Sequence, residues 1–141
     1  MKIIFAATNT EIKELDAHDV DFSLFFDEPI LSCWSTYGNG QLHLDGGDEI
    51  LSLSVEYVGP NQYFLDWHYD GRMVPYDGSS CDEYRNIEMG GDPFRVPLAC
   101  TVDTHTAIRA LTYSTKYRQR DPQINWELMD NVPFSANWYD G

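Results

Sequence analysis

The sequence predicts an α+β fold in which an antiparallel sheet of about five to six strands packs against one main C-terminal helix and a short N-terminal helix. Two patterns carry this prediction: apolar and polar residues alternate through the middle of the chain, and a helical repeat occupies residues 101–118. Successive side chains of a strand point to opposite faces, whereas one face of a helix recurs every three to four residues. With 141 residues the chain can bury most of its own apolar surface, so a single domain over residues 1–141 is expected.

The N-terminal part of the chain is expected to flank the sheet. Residues 2–7 have the β-branched and aromatic composition of a short strand. Asn9 or Thr10 can cap a short helix that runs to about Ala17, because their side-chain oxygens can accept an unpaired backbone N–H. Residues 30–37 are expected to form a further strand, which a glycine-rich turn connects to the next element.

A three-stranded antiparallel meander is predicted over residues 41–70, with turns at residues 45–48 and 59–61. Its apolar face comprises Leu42, Leu44, Leu51, Leu53, Val55, Tyr57, Tyr63, Leu65, Trp67 and Tyr69. Its polar face comprises Gln41, His43, Ser52, Ser54, Glu56, Asp66, His68 and Asp70. The apolar face must be covered by the rest of the chain, and the polar face is expected to be exposed to solvent.

The remaining chain is expected to contain a long loop, the main helix and a last strand. Residues 71–97 are rich in glycine, proline and acidic residues, which favours a loop with one short strand at residues 84–89. Asp103 or Thr104 can cap the helix, and residues 123–128 alternate like a strand. The aromatic residues of the C-terminal tail are expected to pack back onto the sheet.

The net charge of −14 is the most unusual global property of the chain. Residues 1–71 hold thirteen carboxylates against two cations, Lys2 and Lys13. Four further cations lie in one segment: Arg109, Lys116, Arg118 and Arg120. A strongly anionic surface repels nucleic acid and anionic membranes and speeds encounter with basic partners. We therefore expect no nucleic acid partner, no membrane partner, and internal salt bridges for the basic strip.

Location and redox state follow from the apolar runs and the cysteines. No apolar run approaches the roughly 20 residues of a membrane span. The N-terminal apolar run is too short for a signal peptide, so a cytoplasmic location is expected. Cys33, Cys81 and Cys100 are widely spaced without a CxxC pair, which argues against disulfides and structural zinc.

Catalytic motifs such as GxSxG and GxxxxGK[ST] do not occur, so we predict no catalytic residue, no cofactor and no enzyme activity. One alternative stays open at Asp66, His68 and Asp70, which share a strand face. A histidine with carboxylates suits a divalent metal ion, and a His-x-Asp pair on a strand is similar to cupin metal sites. A small metal-dependent, cupin-like enzyme is therefore an alternative function.

A binding surface for a basic protein needs carboxylates on a rim with aromatic anchors inside it. The loop after the meander supplies this mixture, and the predicted interface comprises Asp70, Tyr76, Asp77, Asp82, Glu83, Tyr84 and Glu88. A secondary candidate interface lies on the polar sheet face at Glu56, Asp66 and His68.

The order of the elements adds a family resemblance. Trp34, the meander ending at Asp70-Gly71, Val102-Asp103 before the helix, and the Pro-x-x-x-Trp spacing of 122–126 resemble the Imm-one family of bacterial immunity proteins. These are encoded beside deaminase and nuclease toxins of polymorphic and contact-dependent systems. Residues 118–122 depart from the Gly-x-Arg-Pro entry that the family often has before its last strand.

The resemblance implies an inhibitor that covers the active site of a cognate, basic toxin domain acting on nucleic acid. It implies a monomer that forms a 1:1 heterodimer with the C-terminal domain of the toxin, and it carries over no catalytic residue. An acidic nucleic-acid mimic that inhibits a DNA-binding protein remains a further alternative.

Overall fold

A computed structural model of the chain describes residues 2–6, 13–17, 20–35, 40–47, 51–89 and 92–139. In these ranges the strands are β1 (Lys2–Ala6), β2 (Lys13–Asp16), β3 (Gln41–Asp45), β4 (Ser52–Gly59), β5 (Gln62–His68), β6 (Arg72–Pro75), β7 (Tyr84–Met89), β8 (Asp92–Pro97), β9 (Thr101–Val102) and β10 (Trp126–Leu128). The α-helices are α1 (Ile30–Ser35) and α2 (Thr104–Tyr117). Short 3-10 helices span Phe22–Phe26, Leu98–Cys100 and Met129–Asn131.

One antiparallel sheet organises the chain, in the order β10-β6-β5-β4-β3-β1-β2, with β9 paired to β5 beside β6. Strands β7 and β8 form a separate two-stranded hairpin. The predicted α+β class, with its main C-terminal helix and a short helix near the N-terminus, is confirmed. The predicted meander forms the sheet centre as β3, β4 and β5, and short strands extend both edges.

The first face of the sheet packs against α2, α1 and the 3-10 helix Phe22–Phe26. Most residues assigned to the apolar face are buried here, from Leu42 on β3 to Trp67 on β5, while Tyr69 is exposed. Trp34 is fully buried among aromatic rings and its indole N–H donates to the Phe25 carbonyl at 2.9 Å.

Two N-terminal predictions are wrong. Residues 30–35 form helix α1 rather than a strand, because its apolar side chains pack on the sheet at helical spacing. Residues 13–16 form β2 rather than the end of a helix, because they pair along the edge of β1. The predicted caps Asn9 and Thr10 lie outside the described residues, as do residues 38–39 of the turn.

The second face of the sheet is covered by the β7–β8 hairpin and the C-terminal tail. Its separate core comprises Val58, Phe64, Val74, Cys81, Ile87, Phe94, Val96, Ala99, Cys100, Met129 and Val132, with Phe134 and Trp138 packed against it. The tail therefore packs back as predicted. The expectation of a solvent-exposed polar face is wrong at Ser54, Glu56 and Asp66, which are buried. The reason is that β8, which lies inside the predicted loop, is a strand and forms with β7 the hairpin that covers this face.

The main helix begins where the sequence indicates. Asp103 is its N-cap and accepts a hydrogen bond from the Thr106 N–H at 2.8 Å. The helix ends at Tyr117, and its C-cap, Arg118, adopts a left-handed conformation with φ 54°. Within the part of the chain that the structure describes, no helix is long and apolar enough to cross a membrane.

Candidate functional site

A buried polar cluster lies beneath the hairpin, between β5 and β6. Arg72 at the start of β6 holds Asp66 of β5 by two parallel hydrogen bonds, Nε to Oδ1 at 3.0 Å and Nη2 to Oδ2 at 2.7 Å. The Arg72 guanidinium also lies 5.9 Å from the centre of the Phe94 ring and donates to the Tyr139 hydroxyl at 3.0 Å. One side chain thus connects the sheet, the hairpin and the tail.

The Asp66 carboxylate stays ionised in this position. Burial alone would raise its pKa, but hydrogen bonds from His68 and Arg72 and their positive charge outweigh burial, and the pKa lies below its ordinary value. His68 Nε2 lies 3.2 Å from Asp66 Oδ1. The Arg72–Asp66 pair is a bidentate, charge-assisted salt bridge, which is a strong type of polar contact.

Glu56, in the middle of β4, behaves in the opposite way. Its side chain is 1% exposed and accepts a hydrogen bond from Gln41 Nε2 at 2.5 Å. Burial raises the pKa of Glu56 to about 8, and the negative charge of Asp66 adds to this shift. Beside it, His43 Nδ1 lies 2.8 Å from the Ser54 hydroxyl, and burial lowers the pKa of His43.

These contacts bear on the secondary interface predicted from the sequence. Glu56 and Asp66 are buried and bonded within the chain, so neither carboxylate is accessible to a partner; only His68, with a 44% exposed side chain, reaches solvent. The geometry does not support the alternative of a metal site either, because both carboxylate oxygens of Asp66 contact Arg72. Among the described residues, Asp66, His68 and Asp70 do not form a group of three that could hold a metal ion.

The predicted primary interface divides into two groups at opposite ends of β6. Tyr76, Asp77, Asp82, Glu83 and Tyr84 form the first group, which follows β6 and leads into β7. Backbone hydrogen bonds from Asp77 N to the Ala99 carbonyl and from Leu98 N to the Glu83 carbonyl fix this group beside the 3-10 helix Leu98–Cys100.

The side chains of the first group combine charge with an aromatic surface. Asp77, Asp82 and Glu83 are exposed. Tyr84 is 41% exposed, and its ring contacts Phe134 at 5.7 Å between centroids. Tyr76 is half-buried and donates its hydroxyl proton to the Ser79 carbonyl at 3.0 Å. We call these five residues the acidic patch.

The second group, Asp70 and Glu88, lies toward the other end of β6. Asp70 occupies the β5–β6 turn with φ 55°, and Glu88 is next to Met89, whose sulfur lies 4.0 Å from Arg72 Nη2. Both side chains are exposed. The structure therefore does not bring all seven predicted residues into one surface.

Each cation of the described C-terminal part contacts another group of the chain, although Arg85, Lys116 and Arg118 remain exposed. Arg72 and Arg109 form ion pairs with Asp66 and Asp121. Arg95 and Lys116 lie over the rings of Tyr84 and Tyr117. The other three contact uncharged groups: Arg85 contacts Gln62, Arg118 contacts the Gly46 carbonyl, and Arg120 contacts the Met73 sulfur. The internal salt bridge expected for the basic strip occurs at Arg109. By contrast, among the described residues Asp70, Asp82, Glu83 and Glu88 form no ion pair.

Two adjacent clefts flank Leu128, and Asp70 is the residue of the sequence-predicted interface that lines one of them. The tail cleft, of about 450 Å³, is lined by Gly71, Arg72, Leu128, Met129, Asp130, Asn137, Trp138 and Tyr139. The arginine cleft, of about 530 Å³, is lined by Trp67, Tyr69, Asp70, Met73, Arg118, Gln119, Arg120 and Leu128. Exposed Tyr69, Leu128 and Tyr139 border them. The feature of the sequence that could have indicated the tail cleft is the aromatic pair Trp138 and Tyr139, which follows Asp130 along the chain.

Two of the three cysteines are buried thiols. All three are free thiols, with Cys81 and Cys100 buried in the second core. Burial raises the pKa of Cys100 to about 12, so this thiol stays protonated and is a poor nucleophile.

No protein-family model matches this chain, and no curated protein matches it significantly.

Proposed function

We propose that this protein is an immunity protein, which binds a basic toxin domain acting on nucleic acid and neutralises it by covering its active site. It acts in the cytoplasm as a monomer in a 1:1 complex. One observation carries the proposal: the cations of the described C-terminal part contact other groups of the chain, while the exposed carboxylates of the acidic patch form no ion pair with any described residue. The patch thus exposes three of the carboxylates that give the chain its net charge of −14.

Charge of this kind suits an inhibitor that must capture a basic enzyme quickly. Electrostatic steering raises association rates by roughly 10–10³-fold. A carboxylate that becomes buried against a toxin arginine or lysine contributes strongly, since truncating one such partner costs about 2–5 kcal/mol. Tyr84 supplies the exposed aromatic ring that interface centres favour.

The tyrosines also separate this proposal from the nucleic-acid mimic. A mimic needs carboxylates spaced like phosphates along one surface, whereas the acidic patch combines Asp77, Asp82 and Glu83 with Tyr76 and Tyr84. The patch is better suited to a shaped protein surface with aromatic pockets.

The test uses the C-terminal domain of the protein encoded next to this chain, produced in the same cells. Replacing Asp82 and Glu83 by lysine changes the patch by four charge units and should abolish protection from that domain. The complex should weaken by at least about tenfold in titration calorimetry, and the effect should shrink as salt increases.

A matched control exists on the other side of the sheet. Asp27 and Glu28 are also adjacent, exposed carboxylates, and they precede α1 on the face covered by the first core. Because Glu28 accepts a hydrogen bond from the Ser32 hydroxyl, a thermal melt must show that the control variant is folded. Reversing them changes net charge equally, so protection should persist if the patch matters rather than total charge. Full protection by the Asp82 and Glu83 variant would refute the assignment of the patch.

A further inference from the structure

We infer that the tail cleft is a receptor for a single arginine or lysine side chain of the protein partner. This inference rests on the proposed function and assigns a subsite to it. The cleft lies toward the end of β6 away from the acidic patch, where the structure places Asp70 and Glu88 of the predicted interface.

Charge in the cleft favours a cation. Arg72 is the cationic residue of its lining, but its guanidinium is paired with Asp66 at 2.7 Å, so the two charges compensate each other. Asp130 lies on the 3-10 helix Met129–Asn131, and its exposed carboxylate forms no ion pair with any described residue. With Arg72 paired to Asp66, Asp130 is the charged group of the lining that has no ion-pair partner among the described residues.

The walls suit the rest of a basic side chain. Tyr139 is 51% exposed and Trp138 is half-buried, so aromatic surface is available to a guanidinium or ammonium group. Leu128, 41% exposed, and Met129 offer apolar surface for the methylene stem of the side chain. An aromatic wall, an apolar floor and one carboxylate are the complement of arginine or lysine.

The walls are held in place before any ligand arrives. The Trp138 ring packs on Phe94 and Phe134, at 5.8 and 5.2 Å between centroids. Tyr139 packs edge-on against Phe94 at 5.0 Å and accepts a hydrogen bond from Arg72. Because these rings are fixed, little conformational entropy is lost on binding.

The arginine cleft on the other side of Leu128 provides an internal contrast. It has similar size and aromatic walls, but its single carboxylate, Asp70, is accompanied by Arg118 and Arg120. A cation that enters the tail cleft because of charge should not enter this neighbour.

The test uses the full chain labelled with ¹⁵N and the probe agmatine, an aliphatic stem with a guanidinium at one end and an ammonium at the other, the cationic groups of arginine and lysine. Agmatine should produce saturable shifts of the Trp138 indole N–H and the Asn137 side-chain amide, while n-pentylurea, its neutral analogue, should not. Asp130→Asn should weaken agmatine binding about tenfold, as expected for loss of a charge-assisted contact. Asp70→Asn should leave it unchanged, and thermal melts should show both variants folded.

Equal shifts with n-pentylurea, or shifts with phosphate in place of agmatine, would overturn the inference, as would no shift at all. The result is separable from that of the proposed function. Agmatine binding by a chain that protects against no toxin would refute the proposed function alone, and protection that survives reversal of Asp130 would refute this subsite alone.

Discussion

Arg72 and Asp66 form a two-pronged ion pair inside the second core, with Nη2 2.7 Å from Oδ2 and Nε 3.0 Å from Oδ1. The Asp66 side chain is 5% exposed, so its charge is almost fully removed from water. The pair joins β5 to β6, and Arg72 extends the connection to Phe94 and Tyr139. Most polar side chains on this face of the sheet thus bond to other groups of the protein rather than to solvent.

Removing one member of this pair should be costly. Arg72→Met leaves a buried carboxylate supported only by His68, so unfolding in urea should show a loss of about 3–5 kcal/mol. The double variant Arg72→Met with Asp66→Asn should recover much of that loss, because no charge is left unpaired. Arg85→Met, which removes an exposed contact with Gln62, serves as the control. A double variant as unstable as the sum of its single changes would contradict this account.

Glu56 should make the protein less stable as pH rises. Its folded pKa, about 8, lies above the ordinary value near 4.5, so the folded state binds the proton more tightly than the unfolded state. Stability contributed by the protonated group is complete below about pH 4.5 and is lost progressively up to about pH 8. Glu56→Gln keeps an oxygen for Gln41 and carries no charge.

The variant should therefore be more stable than the parent by about 2–4 kcal/mol at pH 8, with the difference vanishing near pH 4. Thermal and urea unfolding measured over this pH range give the comparison. Glu83→Gln, an exposed change, should show no such pH-dependent gain. A Glu56 variant with the same pH profile as the parent would show that the carboxyl is already ionised in the fold.

Gly40 should tolerate no side chain. A Cβ at this position would lie 1.7 Å from the Trp34 Cβ and 2.6 Å from its backbone Cα. Gly40→Ala must displace α1 from the first core, and we expect a loss of several kcal/mol, beyond the usual 1–3 kcal/mol of overpacking. Gly47→Ala is the comparison: its φ is +88° but its surroundings are open, so only about 1–2 kcal/mol of backbone strain is expected. Similar melting temperatures for the two variants would refute the steric explanation.

The local patterns of the meander and the main helix were sufficient to predict both. Leu42, Leu53 and Leu65 alternate with polar residues and are fully buried, and Asp103 caps α2 as its position indicated. The candidate site could be predicted from the sequence only in part. The assignment of Glu56 and Asp66 to a solvent face followed from alternation alone, which identifies two faces without showing what covers each.

The missing information was in long-range packing. Phe94 and Val96 alternate along β8, yet the neighbouring prolines 93 and 97 favoured a loop. Residues 30–35 were ambiguous because a short apolar run fits a strand or a buried helix equally well. The exposed carboxylates were found by composition, while their division between two ends of β6 depends on how the hairpin crosses the sheet.

Among the described residues two separate cores lie on the two faces of the sheet, and this has an evolutionary consequence. Substitutions in the outer layer, which carries the acidic patch and the tail cleft, leave the packing of α1 and α2 on the opposite face undisturbed. Exposed residues of this layer can then vary while the first core stays intact. Such a division lets a small protein change one surface without losing its ability to fold.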